Sequence, residues 1–290
     1  SNEPSNWRAT ATLQEALREA GVPALAGVDT RALTLLLRSR GTQKGYLSVE
    51  GTVGPEEAVR RARAWEGLDN QDYASRVSVS EAYPWDPDGS RTRTFGHPAD
   101  LPAADLRVVA YDFGIKWNIL RILRLCGMEV EVVPAATPAA EVLARRPDGV
   151  FFSNGPADPA AVTYAVRAAR DLIGRVPLMG ICLGHQLFGL ALGGRTYRLK
   201  FGHHGCNHPV RDLATGAVEI TSQNHNFAVD PESLDRATVD VTHVNLNDGT
   251  VEGLAHRREP MFCVQYHPEA APGPHDPRHH FARFRALMGR

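Results

Sequence analysis

The chain has 290 residues, 43% of them hydrophobic and 22% charged, which is enough for two domains or for one large domain with an appendage. Its 32 basic and 33 acidic residues give a net charge of −1, so the charge gives no reason to expect binding to nucleic acid or to an anionic membrane. Four widely spaced cysteines indicate free thiols, and without a signal peptide or a long apolar run we expect a cytoplasmic protein.

The first hundred residues show short helical patterns separated by glycine and proline. The predicted elements are helices over 12–20, 31–40 and 55–64 and a strand over 46–49. Asp29 or Thr30 would cap the second helix. The segment 84–102 contains four prolines and two glycines without any period, which is typical of an interdomain linker. We therefore expect an N-terminal domain with its linker over 1–104 and a second domain over 105–290.

Strands and helices alternate after this linker. The predicted strands are 106–112, 129–133, 149–153 and 176–181, and the predicted helices are 115–125, 139–145 and 160–173. This order predicts an α/β fold, a mostly parallel sheet with helices on both faces. The pattern then changes to short strands over 195–199, 217–221, 237–245, 253–256 and 261–265, followed by a helix over 277–287.

Cys182 lies between a buried strand and a helix, in the sequence Gly180-Ile-Cys182-Leu-Gly184. This is the nucleophile-elbow pattern with sulfur in place of a hydroxyl, and glycine removes side chains that would clash in so sharp a turn. The start of the helix favours a thiolate and offers free N–H groups to an oxyanion. The alternative is a buried cysteine at a tight strand–helix junction, and the pentapeptide does not decide between the two.

A cysteine nucleophile needs a base, and that base needs a group that orients it. His267 and Glu269 follow the apolar strand 261–265, and residues two apart in an extended chain point the same way. Pro268 between them keeps His267 extended. In isolation such a pair is more often a surface feature, but beside the cysteine elbow and the alternating elements it predicts a catalytic base and its partner.

Two further loops carry polar groups. The segment 153–158 follows a strand, and the N–H of Gly155 could join the N–H after Cys182 in an oxyanion hole. The segment 201–208 holds three histidines and a cysteine, but zinc ligands usually come from two segments and are spaced two to five residues apart. The crowding here favours a polar loop near the active edge over a metal site.

Together these motifs resemble the class I, or triad, glutamine amidotransferases. The motifs that carry the resemblance are Ser153-Asn-Gly-Pro156, Gly180-Ile-Cys-Leu-Gly-His-Gln186 and His267-Pro-Glu269. Four more stretches are similar to the small-chain family of carbamoyl-phosphate synthase: Gly27-Val-Asp-Thr-Arg-Ala-Leu33, Tyr111-Asp-Phe-Gly-Ile-Lys-Trp-Asn118, Phe201-Gly-His-His-Gly-Cys-Asn-His-Pro209 and His267-Pro-Glu-Ala-Ala-Pro-Gly-Pro-His-Asp276.

The resemblance implies a role for each matching residue. Cys182 would attack the side-chain amide of L-glutamine, His267 would move the proton, and Glu269 would orient His267. The substrate-binding positions it implies are Gly155 and Leu183 at the oxyanion and Ala157, Gln186, Asn224, Asn226 and Phe227 around the glutamine. Ammonia would pass to a large synthetase subunit that uses ATP, magnesium and bicarbonate, so we expect no cofactor and no metal in this chain.

This sequence departs from the family at several positions. The family's first domain begins before Ser1, so its opening strands are expected to be missing here. Ala157, Cys206 and Asn226 replace expected glycines, and alanine at a positive φ would cost about 1 kcal/mol. The alternatives left open are another triad amidotransferase, a catalytically silent scaffold for a large subunit, and a metal-binding protein built on the segment 201–208.

Overall fold

The computed structural model describes residues 3–7, 9–93 and 100–289. Its helices are α1 (Leu13–Glu19), α2 (Thr30–Arg40), α3 (Pro55–Ala64), α4 (Ala74–Val77), α5 (Ser90–Arg93), α6 (Trp117–Leu125), α7 (Ala139–Ala144), α8 (Thr163–Leu172), α9 (Leu183–Ala191) and α10 (His279–Leu287). Its strands are β1 (Tyr83–Trp85), β2 (Leu106–Asp112), β3 (Met128–Pro134), β4 (Gly149–Phe152), β5 (Leu178–Ile181), β6 (Arg195–Asp212), β7 (Val218–Asp230), β8 (Val239–Asn245), β9 (Val251–His256) and β10 (Met261–Val264).

The chain forms two compact units, Ser1–Gly67 and Leu68–Arg290. The first unit contains α1, α2 and α3, whose ends follow the sequence signals. Thr12 and Glu15 cap α1 reciprocally, and the Asp29 carboxylate accepts a hydrogen bond from the N–H of Ala32 at the start of α2. The strand predicted over 46–49 does not form, since no described segment pairs with it.

The second unit is built on one ten-stranded sheet in the order β1-β3-β2-β4-β5-β10-β9-β8-β6-β7. The pairs from β3 through β2, β4 and β5 to β10 are parallel, which confirms the predicted α/β fold. β1 is antiparallel at one edge, and β9, β8, β6 and β7 continue the other side in antiparallel pairs. The parallel strands bring their carboxyl ends to one edge, where sheets of this kind hold ligands.

Helices cover both faces of this sheet because its central strands are apolar on both sides. Along β2, Val109 and Tyr111 pack with α7, α8 and α9, whereas Val108 and Ala110 pack with α6 and α10. This alternation gives two separate cores, one on each face.

The structure corrects two expectations from the sequence, the extent of the linker and the lengths of the strands after residue 194. Residues 83–85 form β1, so the predicted linker over 84–102 begins inside the sheet, and its part 94–99 lies outside the described residues. The compact units divide at 67/68, and the predicted domain boundary at 104/105 stays a prediction. β6 and β7 are much longer than predicted: their polar residues pair with each other, and 201–208 is strand rather than loop.

No helix in the described part of the chain is long and apolar enough to cross a membrane.

Candidate active site

Cys182 lies at the junction between β5 and α9, as the elbow pattern predicts. Its backbone adopts φ 54° and ψ −101°, a conformation that non-glycine residues rarely take and that is typical of strained functional sites. Its N–H donates to the carbonyl of Val264 at 2.9 Å, which ties the turn to β10. The thiol is almost fully buried and lies 3.9 Å from the carbonyl oxygen of Asn224.

The two glycines of the elbow are required by close packing. A Cβ on Gly184 would lie 2.2 Å from the carbonyl oxygen of Phe152, and one on Gly180 would lie 2.7 Å from the ring of Phe188. Neither contact is sterically possible without movement, and the first is with rigid backbone. Glycine therefore allows β4, β5 and α9 to approach closely enough to present Cys182 at the edge of the sheet.

His267 and Glu269 meet as predicted, just after β10. His267 Nδ1 lies 2.7 Å from Glu269 Oε1, and the N–H of His267 donates to the carbonyl of Ser222 at 2.9 Å. The imidazole is 5% exposed and the carboxylate 0%. The Nε2 atom of His267 makes no hydrogen bond with any described residue, so it is free to act on a proton in the cavity.

The charges of this pair shift both pKa values. Burial opposes the imidazolium, but the Glu269 carboxylate and the neighbouring Cys182 outweigh it and raise the pKa of His267 to about 10. Burial likewise opposes the carboxylate, but His267 and Lys116 outweigh it and lower the pKa of Glu269. The arrangement favours a protonated His267 beside Cys182 at neutral pH.

Lys116 is a member of the site that residue-level reasoning missed. Its Nζ lies 2.9 Å from Glu269 Oε1 and donates to the carbonyl of Ala270 at 2.6 Å. Two sequence features could have identified it: lysine is rare here, with three among 32 basic residues, and Lys116 comes soon after a buried strand. It neutralises the buried carboxylate and fixes the turn after His267.

The loops after β2 and β4 are joined by side-chain hydrogen bonds. Ser153 Oγ accepts from the N–H of Phe113 at 3.0 Å, and Asn154 Oδ1 accepts from the N–H of Lys116 at 3.1 Å. A Cβ on Gly155 would lie 2.1 Å from the carbonyl oxygen of Phe113, so only glycine fits there. These contacts hold Gly155 and Lys116 at the same edge as Cys182.

A cavity of about 600 Å³ opens at this edge. Its walls include two members of the predicted triad and most of the predicted glutamine contacts: Cys182, His267, Gly155, Ala157, Gln186, Asn224, Asn226 and Phe227. Glu269 lies behind His267, and Leu183 is buried at the first turn of α9. Gln186 also supports the far wall, since its Nε2 donates to the carbonyl of Phe227 at 2.8 Å.

The three residues that replace expected glycines do not strain the backbone. In the described part of the chain, Cys182 adopts a positive φ, whereas Ala157, Cys206 and Asn226 do not. The cost of about 1 kcal/mol expected for alanine at a positive φ therefore does not arise at Ala157. All three residues line the cavity, where their side chains take up space that glycine would leave open.

Family models match two parts of the chain. The model described as Glutamine amidotransferase class-I matches residues 109–287, and the model described as Carbamoyl-phosphate synthase small chain, CPSase domain, matches residues 1–47.

Among the relatives, the carbamoyl phosphate synthase small chain of Nitratidesulfovibrio vulgaris (Miyazaki F) is 52% identical over 98% of this chain and 76% of its own length. The chloroplastic small chain of Arabidopsis thaliana is 49% identical over 99% of this chain and 66% of its own length. A crystal structure from Thermoplasma acidophilum, described as that of a GMP synthase protein, superposes with a TM-score of 0.55 at 21% identity. It covers 63% of this chain and 94% of that one, and supports the fold alone.

Proposed function

The chain belongs to the carbamoyl phosphate synthase small-chain family of class I glutamine amidotransferases, and on that premise we propose that it hydrolyses L-glutamine and supplies the ammonia to a large synthetase subunit. The observation that carries the proposal is the meeting of Cys182, at its strained elbow, with the buried His267–Glu269 pair in one cavity.

Each step of the reaction follows from these groups. Cys182 Sγ attacks the side-chain carbonyl carbon of glutamine, and the N–H groups of Gly155 and Leu183 stabilise the oxyanion. Protonated His267 gives its proton to the leaving nitrogen as the C–N bond breaks, which releases ammonia and leaves a glutamyl thioester. Water, deprotonated by His267, then breaks the C–S bond and yields glutamate.

Glu269 and Lys116 keep His267 ready for both half-reactions. The carboxylate holds the Nδ1 side of the ring, so that Nε2 is the atom that exchanges the proton. Lys116 compensates the carboxylate charge and ties Ala270 to the same place. The glutamine backbone is expected to bind between Gln186 and the wall formed by β7.

The surface of the first unit is consistent with binding to a separate chain that accepts the ammonia. None of its described hydrophobic side chains is buried, and Leu33, Leu35 and Leu36 along α2 are 40–47% exposed. A segment this long normally buries apolar surface, so exposed leucines indicate a surface that a further segment of the domain or a partner chain covers. We propose that this partner is the large subunit, which uses ATP, magnesium and bicarbonate, and that the pair works in the cytoplasm.

An electrophilic glutamine analogue tests the proposal directly. The reagent should label Cys182 and spare Cys126, Cys206 and Cys263, and glutamine should protect against the label. Cys182→Ser should lose glutamine hydrolysis with an unchanged circular dichroism spectrum, since a hydroxyl is a far weaker nucleophile at neutral pH. An adduct found mainly on Cys206, which is exposed in the same cavity, would contradict the assignment. Absence of hydrolysis in the wild-type complex would instead indicate a silent scaffold.

A further inference from the structure

A second cluster of polar side chains lies at the β7 wall of the cavity, which His225 itself lines. His203 on β6 and His225 on β7 are directly opposite each other in the antiparallel pair, and Glu252 lies on β9. Their ligand atoms are all within 4.8 Å of one another, and the residues are 5%, 4% and 0% exposed. The chemistry proposed for glutamine uses none of the three.

The hydrogen bonds around the two rings fix which nitrogens face the centre. His203 Nε2 lies 2.8 Å from the carboxylate of Asp248, and His225 Nδ1 lies 2.8 Å from the carbonyl oxygen of Phe227. Both oxygens accept, so each of these two nitrogens carries a proton. The inward nitrogens, His203 Nδ1 and His225 Nε2, are the ones left to coordinate an ion at the centre.

The remaining groups at the centre are acceptors as well. Glu252 Oε1 lies 3.5 Å from His203 Nδ1, which is buried and makes no hydrogen bond with any described residue. Glu252 also accepts from Asn245 Nδ2 at 2.8 Å and from Gln223 Nε2 at 3.0 Å. With its amide in that orientation, Gln223 turns Oε1 toward His225 Nε2 at 3.0 Å. His203 Nδ1 thus faces Glu252 Oε1, and His225 Nε2 faces Gln223 Oε1, so buried polar atoms converge on a centre that a cation or a proton can join.

We propose that His203, His225 and Glu252 bind one divalent transition-metal ion, best matched by zinc. Two imidazoles and a carboxylate form a known zinc donor set, and ligand atoms in a tetrahedral site lie about 3.3 Å apart. The 3.5 Å between His203 Nδ1 and Glu252 Oε1 is close to that spacing. Asp248 and the Phe227 carbonyl hold the outer ring nitrogens, as acceptors behind metal-bound histidines usually do.

The sequence concealed this site because its ligands come from three strands. The segment 201–208 looked too crowded for a metal, and only His203 of its three histidines belongs to the cluster. The other two ligands come from β7 and β9, which belong to the same sheet as β6. The ion would brace β7 beside Asn224, Asn226 and Phe227, so it would stiffen one wall of the glutamine cavity without taking part in the reaction.

Metal analysis of the full chain tests this site without an activity assay. After dialysis against a chelator and then against Zn²⁺, the protein should retain about one equivalent of zinc by mass spectrometry. Co²⁺ in its place should give the intense visible bands of a tetrahedral site, and X-ray absorption should show imidazole ligands. If the protein neither retains zinc nor gives a tetrahedral Co²⁺ spectrum, the proposal is overturned. That result would indicate that a proton on one imidazole joins the cluster instead.

Matched variants separate this site from adventitious binding. Glu252→Gln and His203→Gln should weaken Zn²⁺ binding on the order of 100-fold in competition with a chromophoric chelator. His279→Gln is the control: His279 belongs to a second group with Glu219 and His280, where His280 Nε2 is already bonded to the Tyr266 hydroxyl at 2.8 Å. It should bind zinc like the wild type. Loss of zinc binding in the control alone, or equal zinc affinity in all variants, would contradict the site. If a variant does not fold, the Co²⁺ spectrum of the wild type tests the site instead.

Discussion

At the residue scale, His267 joins the chemistry to the stability of the site. It is buried between a carboxylate and a thiol, and its neighbours keep it protonated despite that burial. Glu269 in turn is held by both His267 and Lys116. Removing one group of such a buried set leaves the others uncompensated, so substitutions here affect folding as well as catalysis.

The roles of His267 and Glu269 predict unequal losses of activity. His267→Ala removes proton transfer and should lower kcat for glutamine hydrolysis about 10²–10⁴-fold. Glu269→Gln keeps a hydrogen-bonding group behind the ring, so it should lower kcat less than His267→Ala does. Steady-state kinetics of both variants, with folding checked by circular dichroism, measures this. Equal losses would mean that Glu269 does more than orient His267.

The same pair predicts a pH dependence of stability. The pKa of His267 rises from an ordinary value of 6.5 to about 10, so its contribution is fully present below about pH 6.5 and is lost as pH rises toward 10. The lowered pKa of Glu269 gives a contribution that is lost at the acid end, as pH falls through that lowered pKa.

Chemical denaturation of the wild type and Glu269→Gln at several pH values measures this effect. The free energies of unfolding should differ by about 2–4 kcal/mol near pH 6.5, and the difference should shrink by pH 10. A constant difference across that range would contradict a charged His267–Glu269 pair.

At the element scale, the β5–α9 elbow depends on close backbone contact. Gly184→Ala would place a methyl group 2.2 Å from the carbonyl oxygen of Phe152 and should lower the free energy of unfolding by about 3 kcal/mol or more. Gly45→Ala is the matched control, because no atom lies within 4 Å and its φ is not positive. It should change stability by less than about 0.5 kcal/mol. Similar values for the two in denaturant titrations would show that the elbow is loosely packed.

The sequence predicted the elements whose ends carry clear signals. β2 and α3 have the predicted bounds, because an apolar run in one and a proline–glycine frame in the other mark their ends. β6 and β7 were underestimated, since polar residues that pair across two strands carry no burial signal. β1 was missed for a related reason: a short edge strand containing proline resembles a linker.

The candidate site shows the same division. Cys182, His267 and Glu269 carry local patterns, and the structure brings them to one edge. Lys116 and the histidines behind β7 depend on contacts between distant segments, which no local pattern records. Residue-level reasoning therefore found the groups that carry the proposed chemistry and missed the groups that support them.

At the scale of the whole molecule, one unit holds the proposed site of glutamine hydrolysis, and none of the described hydrophobic residues of the other unit is buried. The acceptor of ammonia is proposed to lie on another chain, the large synthetase subunit. Binding of that chain should order the loops around Cys182 and raise the rate of hydrolysis. The relatives are longer than this chain, and a version that includes their additional residues is the appropriate one for binding.

The most direct measurement is carbamoyl phosphate formation by such a chain mixed with a large synthetase subunit, with glutamine or with free ammonia as the nitrogen source. The wild type should use both and should hydrolyse glutamine faster with the large subunit, ATP and bicarbonate present. Cys182→Ser should make carbamoyl phosphate from ammonia at the wild-type rate and none from glutamine. Glutamine-dependent synthesis by Cys182→Ser, or a wild-type rate of glutamine hydrolysis that the large subunit does not change, would contradict the account.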